Sequence, residues 1–175
     1  MGGSYGLLNT STLAPRPDLY ALLLWRKLMG DRVLGARAAA PGGGAELAHL
    51  RAYAHCTPTL GASQGEVTLL LINLHAAKSY QVRLRSARSP SSVEVVEEYV
   101  VSSDALGSQQ VALNGEWLRA APDGALPRLL PRRTARRADS TDRLVRHHVV
   151  VAPHSYGFFV LRGAAAATCV DMREP

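Results

Sequence analysis

The amino-acid sequence predicts a mainly β protein, a β-sandwich of about eight to ten antiparallel strands that follow a single helix. From residue 32 onward, short apolar or alternating runs are separated by turn signals, which is typical of an all-β fold. Between two of these runs, Asn114-Gly115 predicts a two-residue hairpin. Aromatic residues are only 6% of the 175 residues, so the core must consist of Leu, Val and Ala.

The predicted helix spans 17–29 and follows a loop over 1–16 that is rich in small and polar residues. Pro17 suits the first helical turn, and Gly30 is a natural stop. An apolar face of this kind must pack against a large partner, and without one it would favour aggregation. The apolar face consists of Leu19, Leu22, Leu23, Trp25, Leu28 and Met29.

Two strand predictions depend on the alternation of apolar residues. Residues 47–57 alternate, with Ala52, Ala54 and Cys56 on one face. Residues 67–74 are apolar on both faces, which predicts a central strand. The other predicted strands are 32–37, 80–84, 93–101, 109–113, 116–119, 145–152, 156–162 and 168–170.

The segment 93–101 is predicted to be half-buried. Glu94 and Glu98 lie on its polar face, so the adjacent Glu97 and Glu98 are expected at a solvated strand edge. The opposite, buried face is predicted to carry Val93, Val95, Tyr99 and Val101. Near the end of the chain, 145–152 and 156–162 are expected to form a pair joined at Pro153-His154.

The net charge is +6, because 20 Lys and Arg outnumber 14 Asp and Glu. Such an excess favours polyanionic partners, namely nucleic acid, acidic lipid surfaces or sulfated glycans. No apolar run approaches the roughly 18 residues that a membrane-spanning helix needs, so no transmembrane segment is expected. The first residues lack a basic region followed by an apolar core, so a secretion signal is not expected there either.

Residues 120–144 interrupt the strand pattern with prolines and a dense group of arginines, which predicts a long surface loop. A guanidinium group matches sulfate and phosphate with two parallel hydrogen bonds, so this loop is a candidate glycan-binding site. The alternative is a solvated insertion without a ligand, because the arginines are not spaced to any strand or helix face. The candidate residues are Arg128, Arg132, Arg133, Arg136 and Arg137.

The remaining chemistry-bearing residues form no recognisable catalytic or metal site. Glu97 and Glu98 would project from opposite faces of a strand, so they cannot act together as an acid/base pair on one substrate. The six histidines lack metal-ligand spacing, and no nucleophile elbow occurs. The sequence therefore predicts no metal and no cofactor.

Cys56 and Cys169 are the only cysteines, and they bracket almost all of the predicted strands. A bond between them would indicate an oxidising compartment, whereas two unrelated buried thiols are equally compatible with the spacing. Asn9-Thr10-Ser11 is an N-glycosylation sequon, which matters only in a secreted protein. An oxidised chain without a secretion signal would be explained if it were a fragment of a longer protein.

A series of motifs along the chain resembles the heparanase family. Each motif is weak alone, but the series follows the family's order over nearly the whole chain. The motifs are Gly3-Ser4-Tyr5, Pro17-Asp18-Leu19-Tyr20, Leu22-Leu23-Leu24-Trp25-Arg26-Lys27-Leu28-Met29-Gly30, Arg32-Val33-Leu34, Tyr53-Ala54-His55-Cys56-Thr57, Leu70-Leu71-Ile72-Asn73-Leu74-His75, Val111-Ala112-Leu113-Asn114-Gly115, Ala125-Leu126-Pro127, Ser155-Tyr156-Gly157-Phe158-Phe159-Val160 and Ala167-Thr168-Cys169.

The resemblance implies that this chain is the C-terminal portion of a retaining endo-β-glucuronidase that cleaves heparan sulfate. Heparanases join a (β/α)₈ barrel to a β-sandwich, so residues 1–31 would be the last barrel loop and helix. Residues 32–175 would be the sandwich, with the basic loop at 120–144. Both catalytic glutamates would lie upstream, so no catalytic residue is expected in this chain.

The resemblance also implies roles for particular residues. Gly3, Ser4 and Tyr5 match a loop that touches the sulfated glycan, and Cys56 and Cys169 match the family's sandwich disulfide. Heparan sulfate would then be the partner rather than nucleic acid, with peripheral membrane association through proteoglycans. The implied location is secreted, in the extracellular matrix, or lysosomal. An inactive family paralogue shares this sandwich, so a non-enzymatic glycan-binding module is the alternative.

Overall fold

The computed structural model describes residues 6–41, 47–58, 65–86, 93–133, 148–164 and 166–170. These residues form one α-helix, α1 (Pro17–Leu28), and ten strands, which confirms the predicted mainly β class. A 3₁₀ turn, Ala167–Cys169, follows the last strand. The strands are β1 (Val33–Leu34), β2 (Leu50–Cys56), β3 (Val67–Asn73), β4 (Tyr80–Arg83), β5 (Glu94–Ser102), β6 (Ala112–Leu113), β7 (Glu116–Trp117), β8 (Arg132–Arg133), β9 (His148–Val151) and β10 (Ser155–Arg162).

The strands within the described ranges form a large antiparallel sheet and a small one. The large sheet has eight strands in the order β1-β2-β3-β10-β5-β6-β7, with β8 also pairing with β5. The small sheet pairs β4 with β9. Strand β3 lies between β2 and β10, so the prediction of a central strand at 67–74 is confirmed. No helix of the described residues is long and apolar enough to cross a membrane.

Two hydrophobic clusters lie on the two faces of the large sheet. One cluster contains Phe158 of β10 together with residues of α1. The other contains Phe159 of β10 together with Val151 of β9, so the small sheet covers that face. Adjacent residues of a strand point to opposite faces, and Phe158 and Phe159 therefore anchor different clusters. The described residues thus form three layers, namely helix, large sheet and small sheet.

The buried stripe of helix α1 overlaps only in part with the apolar face that the sequence predicted. Tyr20, Leu24 and Leu28 recur every four residues and are all buried against the large sheet. Leu22 and Trp25 remain 43% and 39% exposed. The helix is apolar almost all round, so the periodicity alone did not identify the buried stripe. Leu28 and Met29 of the predicted apolar face are buried, at 3% and 6% exposure.

The C-terminal end of α1 is attached to strand β2. The Gly30 amide donates to the carbonyl of Cys56 over 3.0 Å, and His55 Nδ1 donates to the carbonyl of Gly30 over 2.6 Å. A Cβ atom at position 30 would lie 2.5 Å from the Cys56 carbonyl oxygen. The helix ends at Leu28, two residues before the glycine, and Gly30 permits the close approach of the two backbones.

Strand β5 contains a β-bulge, so that residues before the bulge and residues after it no longer share the faces that strict alternation predicts. Val160 of β10 lies opposite Glu97, and the next residue, Leu161, lies opposite Val95, so Val96 is an extra residue. Val93 and Val95 consequently belong to the small-sheet cluster. Tyr99 and Val101 belong to the helix-side cluster instead. The prediction that these four residues share one face was wrong, because strict alternation does not survive a one-residue bulge.

The hairpin prediction is confirmed. Asn114 and Gly115 have φ angles of 53° and 92°, and they connect β6 to its antiparallel partner β7. Positive φ at both positions defines the type I′ turn that Asn-Gly favours. The Asn114 side chain also binds the neighbouring strand, since the Val100 amide donates to its Oδ1 over 2.9 Å.

The end of the chain departs from the prediction in two respects. Strands β9 and β10 are consecutive, but in the described structure β9 pairs with β4 and β10 pairs with β3 and β5. The connection at Pro153-His154, where His154 has a φ of 48°, therefore passes between sheets and does not close a hairpin. Residues 168–170 lie at the 3₁₀ turn and form no strand.

Candidate functional site

The described part of the predicted basic loop is held against both α1 and the large sheet. We call residues 128–133 the basic arm. Lys27 of α1 donates from Nζ to the Leu129 carbonyl over 2.9 Å, and Asn114 Nδ2 donates to the Leu130 carbonyl over 3.3 Å. The Leu129 side chain packs against the helix-side cluster. These contacts hold the backbone of the arm independently of its arginine side chains.

Two arginines of the basic arm are paired with glutamates of β5. In the β5–β8 ladder, Glu98 lies opposite Arg132 and Glu97 lies opposite Arg133. Arg132 Nε donates to Glu98 Oε2 over 3.0 Å, and Arg133 Nε donates to Glu97 Oε1 over 3.1 Å. The Glu98 side chain is only 6% exposed. The predicted solvated edge for Glu97 and Glu98 was therefore wrong, because β8 covers these acids and opposite charges face each other across the strands.

Lys27 and Tyr99 connect the helix to this ion-pair network. Lys27 Nζ lies 4.9 Å from the centre of the Tyr99 ring, and the Tyr99 hydroxyl donates to Glu97 Oε2 over 3.0 Å. Burial raises the pKa of Tyr99, and its hydrogen bond to Glu97 raises that pKa further. Burial lowers the pKa of Lys27, which Glu97 opposes, while Arg133 and Arg128 lower it further. The positive charges of Arg128 and Arg133 therefore act on Lys27.

The structure describes some of the predicted site residues but not all of them. Arg128, Arg132 and Arg133 lie on the basic arm and are exposed. Arg136 and Arg137, together with Gly3-Ser4-Tyr5, lie outside the described residues. Lys27 and Asn114 were not predicted from the sequence as anchors of the arm. One sequence signal does indicate the pairing, since the dipeptides Glu97-Glu98 and Arg132-Arg133 have complementary charges and suit a cross-strand pair.

Cys56 and Cys169 form a disulfide bond with a Cα–Cα distance of 5.3 Å. Both cysteines are buried, at 2% and 3% exposure, in the small-sheet cluster. The bond joins the end of β2 to the 3₁₀ turn after β10, and its partners are 113 residues apart in sequence. Of the two alternatives that the spacing left open, the structure therefore shows the bonded pair.

Comparison with known proteins identifies the family. No protein-family model matches the chain. Heparanase from Mus musculus is 33% identical over 178 residues, which are 96% of this chain and 29% of that protein. Baicalin-beta-D-glucuronidase from Scutellaria baicalensis is 35% identical over 162 residues, which are 93% of this chain and 27% of that protein. The chain belongs to the heparanase family.

The heparanase family also includes relatives that are named inactive. Inactive heparanase-2 from Homo sapiens is 31% identical over 175 residues, which are 94% of this chain and 27% of that protein. The chain thus spans less than a third of the length of each of these heparanase-family relatives. This similarity shows the family. The role of this portion of the protein must be inferred from its own residues.

The buried carboxylates of this heparanase-family chain are held in ion pairs. Glu66 is 6% exposed and accepts from Arg162 Nε and Nη2 over 3.2 and 3.1 Å. Glu98 and Glu97 bind Arg132 and Arg133, and as neighbours on a strand they point to opposite faces. Among the described residues, no three His, Cys, Asp or Glu side chains cluster as a metal site would require. These carboxylates therefore serve the structure of the sheet.

Proposed function

We propose that this chain is the C-terminal portion of a heparanase-like glycoside hydrolase and acts as its accessory β-sandwich. The observation that carries the proposal is the match over at least 93% of this chain to less than a third of its relatives. A retaining glycosidase needs two carboxylates about 5–5.5 Å apart. The buried carboxylates described here are instead bound to arginines, so the catalytic glutamates would come from a (β/α)₈ barrel formed by preceding sequence.

In this proposal, the sandwich positions the barrel through α1. The helix would be the last helix of the barrel, and its buried face packs on the large sheet. Its opposite face, with Leu22 and Trp25, is partly exposed and would contact the neighbouring barrel elements. The loop before the helix would carry Gly3, Ser4 and Tyr5 to the sulfated glycan at the C-terminal face of the barrel. The substrate would be the heparan sulfate chains of proteoglycans, and the protein would be secreted, in the extracellular matrix, or lysosomal.

The proposal predicts that the purified chain releases no oligosaccharide from heparan sulfate. It also predicts that the chain restores hydrolysis when it replaces the matching portion of Mus musculus heparanase in a hybrid protein. The physical reason is that the barrel would supply the two carboxylates and this chain the missing helix and sandwich. Hydrolysis is measured by the size distribution of heparan sulfate fragments after incubation with each protein.

Two controls make this test decisive. The barrel portion of Mus musculus heparanase without any sandwich gives the baseline activity, and the native enzyme gives the upper limit. Turnover by the purified chain alone would contradict the absence of a catalytic pair. A hybrid that is secreted with its disulfide formed, yet no more active than the baseline, would contradict the supporting role.

A second candidate function is non-enzymatic binding of heparan sulfate through the basic arm. The exposed Arg128, whose charge acts on Lys27, favours this function, as does the similarity to inactive heparanase-2. Arg132 and Arg133 are less suited to the role, because each already binds a glutamate. Removing either arginine would also expose negative charge, so a loss of binding by such a variant would not identify a contact.

The binding function predicts that Arg128→Ala, Arg136→Ala and Arg137→Ala together lower the salt concentration at which the chain elutes from a heparin column. Polyanion binding releases counterions, so fewer contacts give weaker binding and a smaller dependence on salt. A matched control removes three other exposed arginines, Arg37, Arg83 and Arg85, which line the cavity on the small-sheet side. Equal elution shifts in both triple variants would show that only net charge matters, which would contradict a site on the arm.

A further inference from the structure

The three asparagines of the chain differ in how they use their side-chain amide nitrogen. Asn73 is 1% exposed, and its Nδ2 donates to the carbonyls of Lys78, Val151 and Ala152. Asn114 Nδ2 donates to the carbonyls of Glu98 and Leu130. Asn9 uses only Oδ1, and none of the described residues accepts a hydrogen bond from its Nδ2. Asn9 is also the only asparagine in an Asn-X-Ser/Thr sequon.

Asn9 lies in a tight surface loop that leaves its amide nitrogen accessible. The loop is closed by a bridge between Leu8 and Pro15, and the Asn9 amide donates to the Ala14 carbonyl over 2.8 Å. Asn9 Oδ1 accepts from the amides of Ser11 and Thr12 over 2.9 and 3.1 Å. Residues 10–14 are all exposed. Two backbone amides of the loop thus hold the Oδ1 atom of the half-buried Asn9, while Nδ2 donates to none of the described residues.

The disulfide supplies an independent argument about the compartment. Bonds such as Cys56–Cys169 form and persist in the lumen of the secretory pathway and are rare where thiols are kept reduced. N-glycosylation takes place in that same lumen, at surface sequons of secreted proteins. In a eukaryotic cell, a chain that acquires this disulfide in the secretory pathway would pass the enzyme that modifies such sequons.

We propose that Asn9 carries an N-linked oligosaccharide. In the transfer, Asn9 Nδ2 forms a bond to the anomeric carbon of an oligosaccharide carried on a lipid diphosphate. The bond from that carbon to the diphosphate oxygen breaks, the lipid diphosphate leaves, and Nδ2 loses one proton, with no oxidation or reduction. One Nδ2 hydrogen remains, and both hydrogen bonds to Oδ1 are retained. The modification is therefore compatible with the folded loop.

Exposed apolar side chains surround the proposed attachment site. Leu7 and Leu8 are each 42% exposed, and Leu13 is 71% exposed with a φ of 57°. Large apolar side chains that cluster in one loop favour association with other proteins when nothing covers them. An attached oligosaccharide is bulky and polar, so it would shield these leucines from such contacts.

The test is expression of the full chain behind a secretion signal in eukaryotic cells, followed by intact mass measurement with and without peptide-N-glycosidase. We expect one N-glycan on the parent chain and none on Ser11→Ala, because the enzyme needs the hydroxyl of the third sequon residue. Ser11→Ala keeps the backbone amide that binds Asn9 Oδ1. The matched control, Ser11→Thr, keeps the hydroxyl and should retain the glycan.

The oxidation state of the two cysteines is the internal control of this experiment, because it reports whether the chain passed through an oxidising compartment. Alkylation of free thiols reports whether the secreted chain has an oxidised Cys56–Cys169 pair. A secreted, oxidised parent chain without a glycan would overturn the proposal, and so would a glycan that persists in Ser11→Ala. The readout is a mass and does not involve heparan sulfate cleavage, so its failure is distinguishable from failure of the proposed hydrolase role.

Discussion

Replacing both cysteines by alanine, or reducing the bond between them, should lower the free energy of unfolding by roughly 4–5 kcal/mol. The bond closes a loop between residues 113 positions apart, and in a chain-entropy description the gain comes from restricting the unfolded chain. Cys56 lies at the end of β2, whereas Cys169 lies in a short turn after β10. Loss of the bond should therefore release the end of the chain most readily.

Urea unfolding of the parent chain with and without reductant measures this effect. The double variant Cys56→Ala/Cys169→Ala is the control, because reductant has nothing to reduce in it and should leave its unfolding curve unchanged. A parent chain whose urea midpoint does not move on complete reduction, as verified by thiol labelling, would contradict the expected stabilisation.

Leu24→Ala should destabilise the chain by about 2–5 kcal/mol, the usual cost of removing a buried leucine side chain. Leu24 is 0% exposed and lies in the cluster that α1 shares with Tyr99 and Phe158 of the large sheet. The lost methyl groups leave a cavity between helix and sheet, because neighbouring side chains relax only partly. The helix thus belongs to the same hydrophobic core as the sheet.

Leu22→Ala is the matched control, since it makes the same chemical change two residues away at 43% exposure. Surface substitutions of this kind usually stay within about 0.5 kcal/mol. The urea midpoint should therefore fall much further for Leu24→Ala than for Leu22→Ala. Equal midpoints would show that α1 contributes nothing to the cooperative unfolding of the sheet.

Local patterns in the sequence predicted the elements that depend on near neighbours. Residues 67–74 were expected to be central because both faces are apolar, and β3 is flanked by β2 and β10. Asn114-Gly115 indicated its hairpin because few other dipeptides tolerate two positive φ angles. Pro17 marked the start of the helix for an equally local reason, since it occupies the first helical turn.

The features that the sequence did not reveal depend on distant residues. Glu98 is covered by Arg132, which is 34 positions away, and no periodicity connects the two. The buried stripe of α1 includes Tyr20 and Leu24, but it could be chosen only once the sheet beneath was known. Pro153-His154 looks like a hairpin turn locally, yet the partners of the flanking strands are set by the rest of the fold.

For the candidate site, the sequence identified the arginines but not what holds them. Arg128, Arg132 and Arg133 were recognised by their density, which is a property of composition. Which of them bind glutamates depends on the β5–β8 ladder, which places Arg132 opposite Glu98 and Arg133 opposite Glu97. A two-residue strand such as β8 carries too little pattern to be predicted from sequence.

The bulge in β5 limits how this part of the chain can change in evolution. Which core a side chain of β5 joins depends on the number of residues that separate it from Val96. Deleting one residue between Val95 and Tyr99 would remove the bulge and leave Leu161 opposite Val95 and Phe158 opposite Tyr99, whereas an insertion would add a second unpaired residue. Substitutions at individual positions leave this count intact. This segment should therefore tolerate the loss of one residue in evolution better than the gain of one, because only the insertion adds to the mismatch with β10.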